Sequence, residues 1–261
     1  LNWLSHSGPT GYTIYRKLKG GTSWGTAIGT ASSSATQFAD NAVSINTSYE
    51  YKVVRTTSSS GDGQGYVNSG IELAMVEDRG KIVLLVDNTF TTSLAAQLIQ
   101  LEQDLEGEGW TVIRQDVSRT APVTSIKSII TTAYNADPTR VKAVFLFGHV
   151  PVPRSGNLAP DGHGEHFGAW AADVYYGDVN GIWTDNSVNS TGASWSGNYN
   201  VPGDGKFDQT IIPSTVELQV GRVDLYDLPA FPQSETTLLS NYLTKLHQWK
   251  VKQLISVDRA V

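Results

Sequence analysis

The chain has 261 residues, a net charge of −6 from 19 basic and 25 acidic side chains, and no cysteine. An acidic chain without a basic stripe is unsuited to nucleic acid or an anionic membrane surface, and no run of about 18 apolar residues is present to span a bilayer. The missing thiols remove cysteine nucleophiles, disulfides and thiolate metal sites.

Sparse charge and 25 glycines among many Ser, Thr and Asn suit an exported, β-rich protein. The chain opens at Leu1 and stops within a continuing pattern, so it reads as a piece of a longer protein. Residues 1–77 read as short strands. In "GYTIYRKL", Tyr12, Ile14 and Arg16 share one face. In "SYEYKVVRTT", Tyr49, Tyr51 and Val53 share one face and Glu50, Lys52 and Val54 the other, the period of a half-buried strand. The clusters "SHSGPT", "GG" and "SSSGDGQG" separate strands, and the spacing predicts an all-β sandwich.

From residue 78 to 261 the pattern is α/β. "KIVLLVD" is a continuous apolar run, as in a strand covered on both faces of a parallel sheet. Leu94, Leu98, Leu101 and Leu105 recur at helical spacing, "WTVIRQDV" is a second strand, and Val123, Ile126, Ile130 and Ala133 mark a second helix behind Pro122. "VKAVFLFG" is a third strand, "VELQVGRVDL" a fourth, and "SETTLLSNYLTKLHQWK" a helix with an incomplete capping box at Ser234 and Thr237. Alternating strands and helices predict a mostly parallel sheet. Right-handed crossovers then place loops 87–93, 115–121 and 148 onward at its carboxyl edge, where such folds bind ligands.

Residues 148–215 form a long loop with eleven Gly, three Trp, and seven acidic against two basic side chains, so they carry −5 of the net charge. "DVNGIWTD" and "PGDGKFD" place oxygens around glycines, and Asp178, Asn180, Asp185, Asp204 and Asp208 are the candidate ligands of a structural Ca²⁺. The competing reading is Asx turns bonded to their own backbone. In "HGEH", His163 and His166, with Asp173 nearby, are secondary candidates for a metal that favours imidazole, against plain exposed loop histidines. His149 ends the third strand at the ligand-binding edge, and Asp87 ends the first, where it is placed to cap a helix. Ser5, Ser118 and Ser155 lack the setting of a serine nucleophile.

Two families are resembled. "LNWL", "GYTIYRK" and "NTSYEYKVV", in that order, resemble a fibronectin type III domain, although the strand that should precede Trp3 is absent. "KAVFLFGHVPVP", "ADVYYGDVNG" and "VELQVGRVDL" resemble the early part of a gingipain-type peptidase domain, a relative of the caspase-like folds. The second resemblance implies a cysteine peptidase whose His/Cys dyad lies in a later subdomain, after the Gly-Arg strand. No catalytic residue is then expected within this chain. His149, at a turn where the family usually has Gly-Asp, and His163 remain secondary candidates. The Gly-His-Gly at 162–164 precedes "YYGD", whereas the family's catalytic Gly-His-Gly follows it. The expected protein is an exported, bacterial, gingipain-like peptidase whose non-catalytic portion scaffolds a downstream catalytic subdomain of the same polypeptide. The alternative is a surface-structural or adhesion protein, or a module that binds protein or glycan through its Trp-rich loop.

Overall fold

The computed structural model describes residues 1–58, 62–73 and 77–254. The chain divides into two compact units, Leu1–Val76 and Glu77–Val261. The turn expected over 58–65 lies partly outside the described residues. Among the described residues, no helix is long and apolar enough to cross a membrane.

The first unit holds one antiparallel sheet of β1 (Pro9–Leu18), β2 (Gly29–Ala31), β3 (Tyr49–Thr57) and β4 (Gly63–Ser69), in the order β2-β1-β3-β4. Tyr12 and Ile14 of β1 and Tyr49 and Tyr51 of β3 are its buried centre, and Trp3, Ile28, Phe38 and Val43 pack against them. The Trp3 ring sits 5.0 Å from Tyr12, and its indole N–H donates to the Ala35 carbonyl at 2.8 Å. Arg16, expected on the same face as Tyr12 and Ile14, reaches Asp40 at 2.8 Å; the Tyr51 hydroxyl donates to the same carboxylate at 3.0 Å.

This corrects the expected fold class. A sandwich needs two facing sheets. The described residues form one sheet here, and outside it a single antiparallel bridge, Asn2 to Gln37, joins the two segments that cover the core. The reason lies in residues 19–48, where Gly, Ser, Thr and Ala outnumber large apolar residues and no period-two run develops. Only the three-residue β2 pairs there, and irregular chain does the covering. Taken whole, the chain is mixed α and β, with one parallel and two antiparallel sheets.

The second unit is built on a parallel sheet. Its elements in chain order are β5 (Gly80–Asp87), α1 (Ala95–Gly107), β6 (Trp110–Val117), α2 (Val123–Ala136), β7 (Val141–Phe147), β8 (Arg154–Leu158), β9 (Gly168–Ala171), α3 (Val174–Gly177), β10 (Gln219–Val223) and α4 (Glu235–Lys250). The strand order is β10-β7-β5-β6, every pair parallel, while β8 and β9 form a separate antiparallel pair. Period two in β5 sorts the core. Val83 and Leu85 face Ile126 and Ile130 of α2, whereas Ile82, Leu84 and Val86 face Leu98, Leu101 and Leu105 of α1 and Leu239 and Leu243 of α4. The Ser234 hydroxyl caps α4 by accepting from the Thr237 N–H at 3.2 Å.

The long loop is ordered by aromatic packing. The Tyr175 ring stacks on Phe207 at 4.3 Å, Trp183 meets both rings edge-on, and the fully buried Tyr176 donates its hydroxyl to the Pro151 carbonyl at 2.7 Å. From α2, the Lys127 ammonium donates to the Tyr175 carbonyl and, at 2.6 Å, to that of Asp178, which fastens the loop to the helix. Burial pulls the Lys127 pKa down to about 8, against the pull of Asp178 and Glu217.

Leu84 is fully buried in the central strand, and Ile99 on α1 is 55% exposed. Leu84→Ala is expected to destabilise the unit by about 3 kcal/mol through lost burial and a residual cavity, whereas Ile99→Ala is expected to stay within about 0.5 kcal/mol. Urea denaturation followed by far-UV circular dichroism measures both; equal effects would remove the two-face account of β5.

Candidate functional site at the carboxyl edge of the parallel sheet

Asp87 ends β5 with its residue fully buried. Its Oδ2 accepts from Arg119 Nε at 2.9 Å and Nη2 at 2.6 Å, and from the His149 N–H at 3.2 Å; its Oδ1 accepts from the Thr89 N–H at 3.0 Å. Burial pushes the pKa up, but the hydrogen bonds from Arg119 and Thr89 outweigh it and hold the carboxyl below its ordinary value. The same guanidinium reaches Glu235, in the first turn of α4, at 3.2 Å, and lies over the rings of Phe90 and Tyr226. Burial raises the Glu235 pKa despite that cation, with Asp87 and Asp224 adding to the rise.

The end of β7 turns at Gly148, whose φ of +82° suits glycine. A Cβ there would stand 2.7 Å from that of Asp87, so a side chain is excluded by space as well. The next residue, His149, places Nδ1 2.8 Å from Asp224 Oδ2, just past β10, and lays its ring 4.1 Å from that of Tyr226. Among the described residues no hydrogen bond to His149 Nε2 is formed, and its side chain is 29% exposed. With the Nδ1 proton directed at Asp224, Nε2 carries the lone pair and can take up a proton. No serine, threonine or tyrosine hydroxyl among the described residues is hydrogen-bonded to it. Arg222 of β10 forks onto Asp173 at 2.7 and 2.8 Å and donates to the Val150 and Pro151 carbonyls. Asp173 is thereby engaged by Arg222, away from the histidines beside which the sequence places it.

The five carboxylate and amide candidates of the long loop gather at three separate places. Asp178 is buried and accepts from the Trp183 indole at 3.0 Å and from the Ser214 hydroxyl; Asn180 also meets Ser214 and binds Glu217. Asp185 accepts the N–H groups of Gly203 at 2.8 Å and Gly205 at 2.7 Å, while Asp204 accepts those of Val201 and Lys206. Asp208 accepts four donors, two on each oxygen: the Thr184 hydroxyl and Asn186 N–H on Oδ2, and the Ser187 and Val188 N–H groups on Oδ1. A carboxylate offers about four lone-pair sites, so Asp208 has no free oxygen face for a cation. This donor set fits Ca²⁺ poorly, and backbone N–H groups answer much of the local negative charge.

A third cluster lies between β8 and β9. Asp161 Oδ2 stands 2.6 Å from His166 Nδ1 and 3.2 Å from His163 Nδ1, all three side chains being exposed. His163 thus belongs to this surface group. Among the described residues it is the one place where three metal-ligating side chains converge. Sequence reasoning singled out Asp87 and His149 but missed Arg119, Asp224, Tyr226, Glu235 and Asp161. Asp224 follows β10 as Asp87 follows β5, and Arg119 lies in the loop assigned to the same edge, so the strand-end rule carried a signal for both.

Burial works to raise the pKa of Asp208, but the N–H groups of Val188 and Asn186, the Thr184 hydroxyl and the Ser187 N–H hold it well below the ordinary value. A depressed folded pKa gives stability that is present above the unfolded value and lost as pH falls through the folded one. Asp208→Asn is expected to cost about 1–2 kcal/mol at neutral pH and to flatten the loss of stability below about pH 4. Thermal melts of both proteins between pH 7 and 2 test this, and parallel pH profiles would remove Asp208 as the loop's anchor.

Compared with known protein families, curated proteins and solved structures, the chain matches none.

Proposed function

We propose that this chain is the non-catalytic portion of an exported, bacterial, gingipain-like cysteine peptidase, and that its α/β unit braces a His/Cys site supplied by a later subdomain of the same polypeptide. The observation that carries the reading is the closed network at the carboxyl edge. Asp87, Arg119, Glu235, His149 and Asp224 are mutually paired on the ends of β5, β7 and β10 and the start of α4. Such a network suits a rigid support for chemistry elsewhere, and a chain without cysteine has no thiolate to offer. The motif order "KAVFLFGHVPVP", "ADVYYGDVNG", "VELQVGRVDL" adds the family resemblance.

A second reading, a protein- or glycan-binding module with an inactive peptidase-like domain, has one observation in its favour. Trp195 is 57% exposed, with the Arg154 guanidinium 4.8 Å from its ring centre. An exposed indole backed by a cation is a stacking platform.

The purified chain is expected not to hydrolyse casein or peptide libraries. The polypeptide captured from its source by antibodies against this chain is expected to be labelled by a thiol-directed epoxide inhibitor. Hydrolysis by the chain alone, or a captured polypeptide without a reactive thiol, would overturn the first reading. Glycan binding by the chain alone, lost in Trp195→Ala, would establish the second.

A further inference from the structure

We propose that Asp161, His163 and His166 form a binding site for a late first-row divalent metal ion, Zn²⁺, Ni²⁺ or Cu²⁺. The ligand atoms, one carboxylate oxygen and two Nδ1 nitrogens, lie within 4.8 Å of one another. Bonds of about 2.0–2.2 Å to such an ion put neighbouring ligand atoms roughly 3–3.5 Å apart. The 3.2 Å and 2.6 Å separations of His163 and His166 from Asp161 need only small side-chain adjustments to reach that geometry.

The backbone holds the trio in place. Asp161 Oδ1 accepts the His163 N–H at 3.2 Å, and the turn over Gly164–His166 closes with the His166 N–H on the His163 carbonyl at 3.0 Å. The Trp170 indole N–H donates to the His166 carbonyl at 3.0 Å, and Ser194 N–H to that of Glu165 at 2.8 Å. Both ends of the turn are therefore tied to the body of the unit. Hydrogen bonds from His166 and His163 hold the Asp161 pKa down at about 2, so the carboxylate is ionised across the physiological range. Among the described residues its only ion-pair partners are the two imidazoles, and no lysine or arginine neutralises it.

Two imidazoles and one carboxylate select Zn²⁺, Ni²⁺ and Cu²⁺ over Ca²⁺ and Mg²⁺, which prefer all-oxygen shells. Binding needs the Nδ1 lone pairs. A neutral imidazole shifts its proton from Nδ1 to Nε2, and an imidazolium releases one proton to solvent, so affinity falls as pH drops through the histidine range. Three protein ligands leave the remaining position to water. The inference is independent of the peptidase reading.

Isothermal titration of tag-free protein with ZnCl₂, NiCl₂, CuCl₂, CaCl₂ and MgCl₂ tests it. The expected result is one saturable site for at least one of the first three ions and none for Ca²⁺ or Mg²⁺. Asp161→Asn and His166→Asn are each expected to weaken binding at least about tenfold, with melting curves of the ion-free variants showing that the fold is kept. His6→Asn, in the first unit, and His149→Asn are expected to leave binding unchanged. No saturable binding of any of the three ions, or binding that survives Asp161→Asn and is lost in His149→Asn, would overturn the site.

Discussion

A fully buried carboxylate is the constraint around which the α/β unit is arranged. Asp87 stands at the end of the central strand, and an ionised group there is tolerated only if its lone pairs are met and its charge is opposed. Arg119 supplies two donors from the loop after β6, Thr89 one from the turn after β5, and His149 one from the end of β7. Each donor must be in position at once, so one side chain fixes the relative placement of three loops. Arg119 extends the constraint to α4 through Glu235, and Gly148 is required because any side chain there would strike Asp87.

The long loop solves a different problem with similar means. It is too polar to fold on apolar burial alone, yet Tyr175, Tyr176, Trp183 and Phe207 make a small aromatic core against α2 and the sheet. Around that core the aspartates act as surrogate turn partners, each gathering backbone N–H groups that no strand or helix satisfies. Negative charge in this loop is therefore a device for closing turns. The exposed trio of Asp161, His163 and His166 is the exception, because its carboxylate is met chiefly by groups that can exchange a proton for a metal.

What could be read in advance follows the strength of local periodicity. The run at 82–86 is apolar without interruption because both of its faces are covered, and the leucines at 98, 101 and 105 line one side of α1. The two-sheet sandwich failed because it was inferred from strand spacing, while the Gly- and Ser-rich stretch of 19–48 lacks the alternation that a second sheet needs. At the sheet edge, Asp87 and His149 were visible from strand ends. Their partners Arg119 and Asp224 are 32 and 75 residues away in sequence, and pairing at that range is set by topology. The carboxylates at 178, 185, 204 and 208 were legible as loop-organising groups, but whether they meet N–H donors or a cation depends on which turn folds against which. Asp161 was passed over for Asp173, which faces Arg222 of β10.

The central claim is that Asp87 and Arg119 stabilise the unit as a pair. A double-mutant cycle of Asp87→Asn and Arg119→Met, read by urea denaturation at neutral pH, tests it most directly. Arg119→Met alone strands a buried charge and is expected to cost about 3–5 kcal/mol, less to the extent that water reaches the guanidinium. The double variant is expected to be more stable than the sum of the single effects by at least about 1.5 kcal/mol. Additive effects, or an Arg119→Met protein as stable as the parent, would contradict the account.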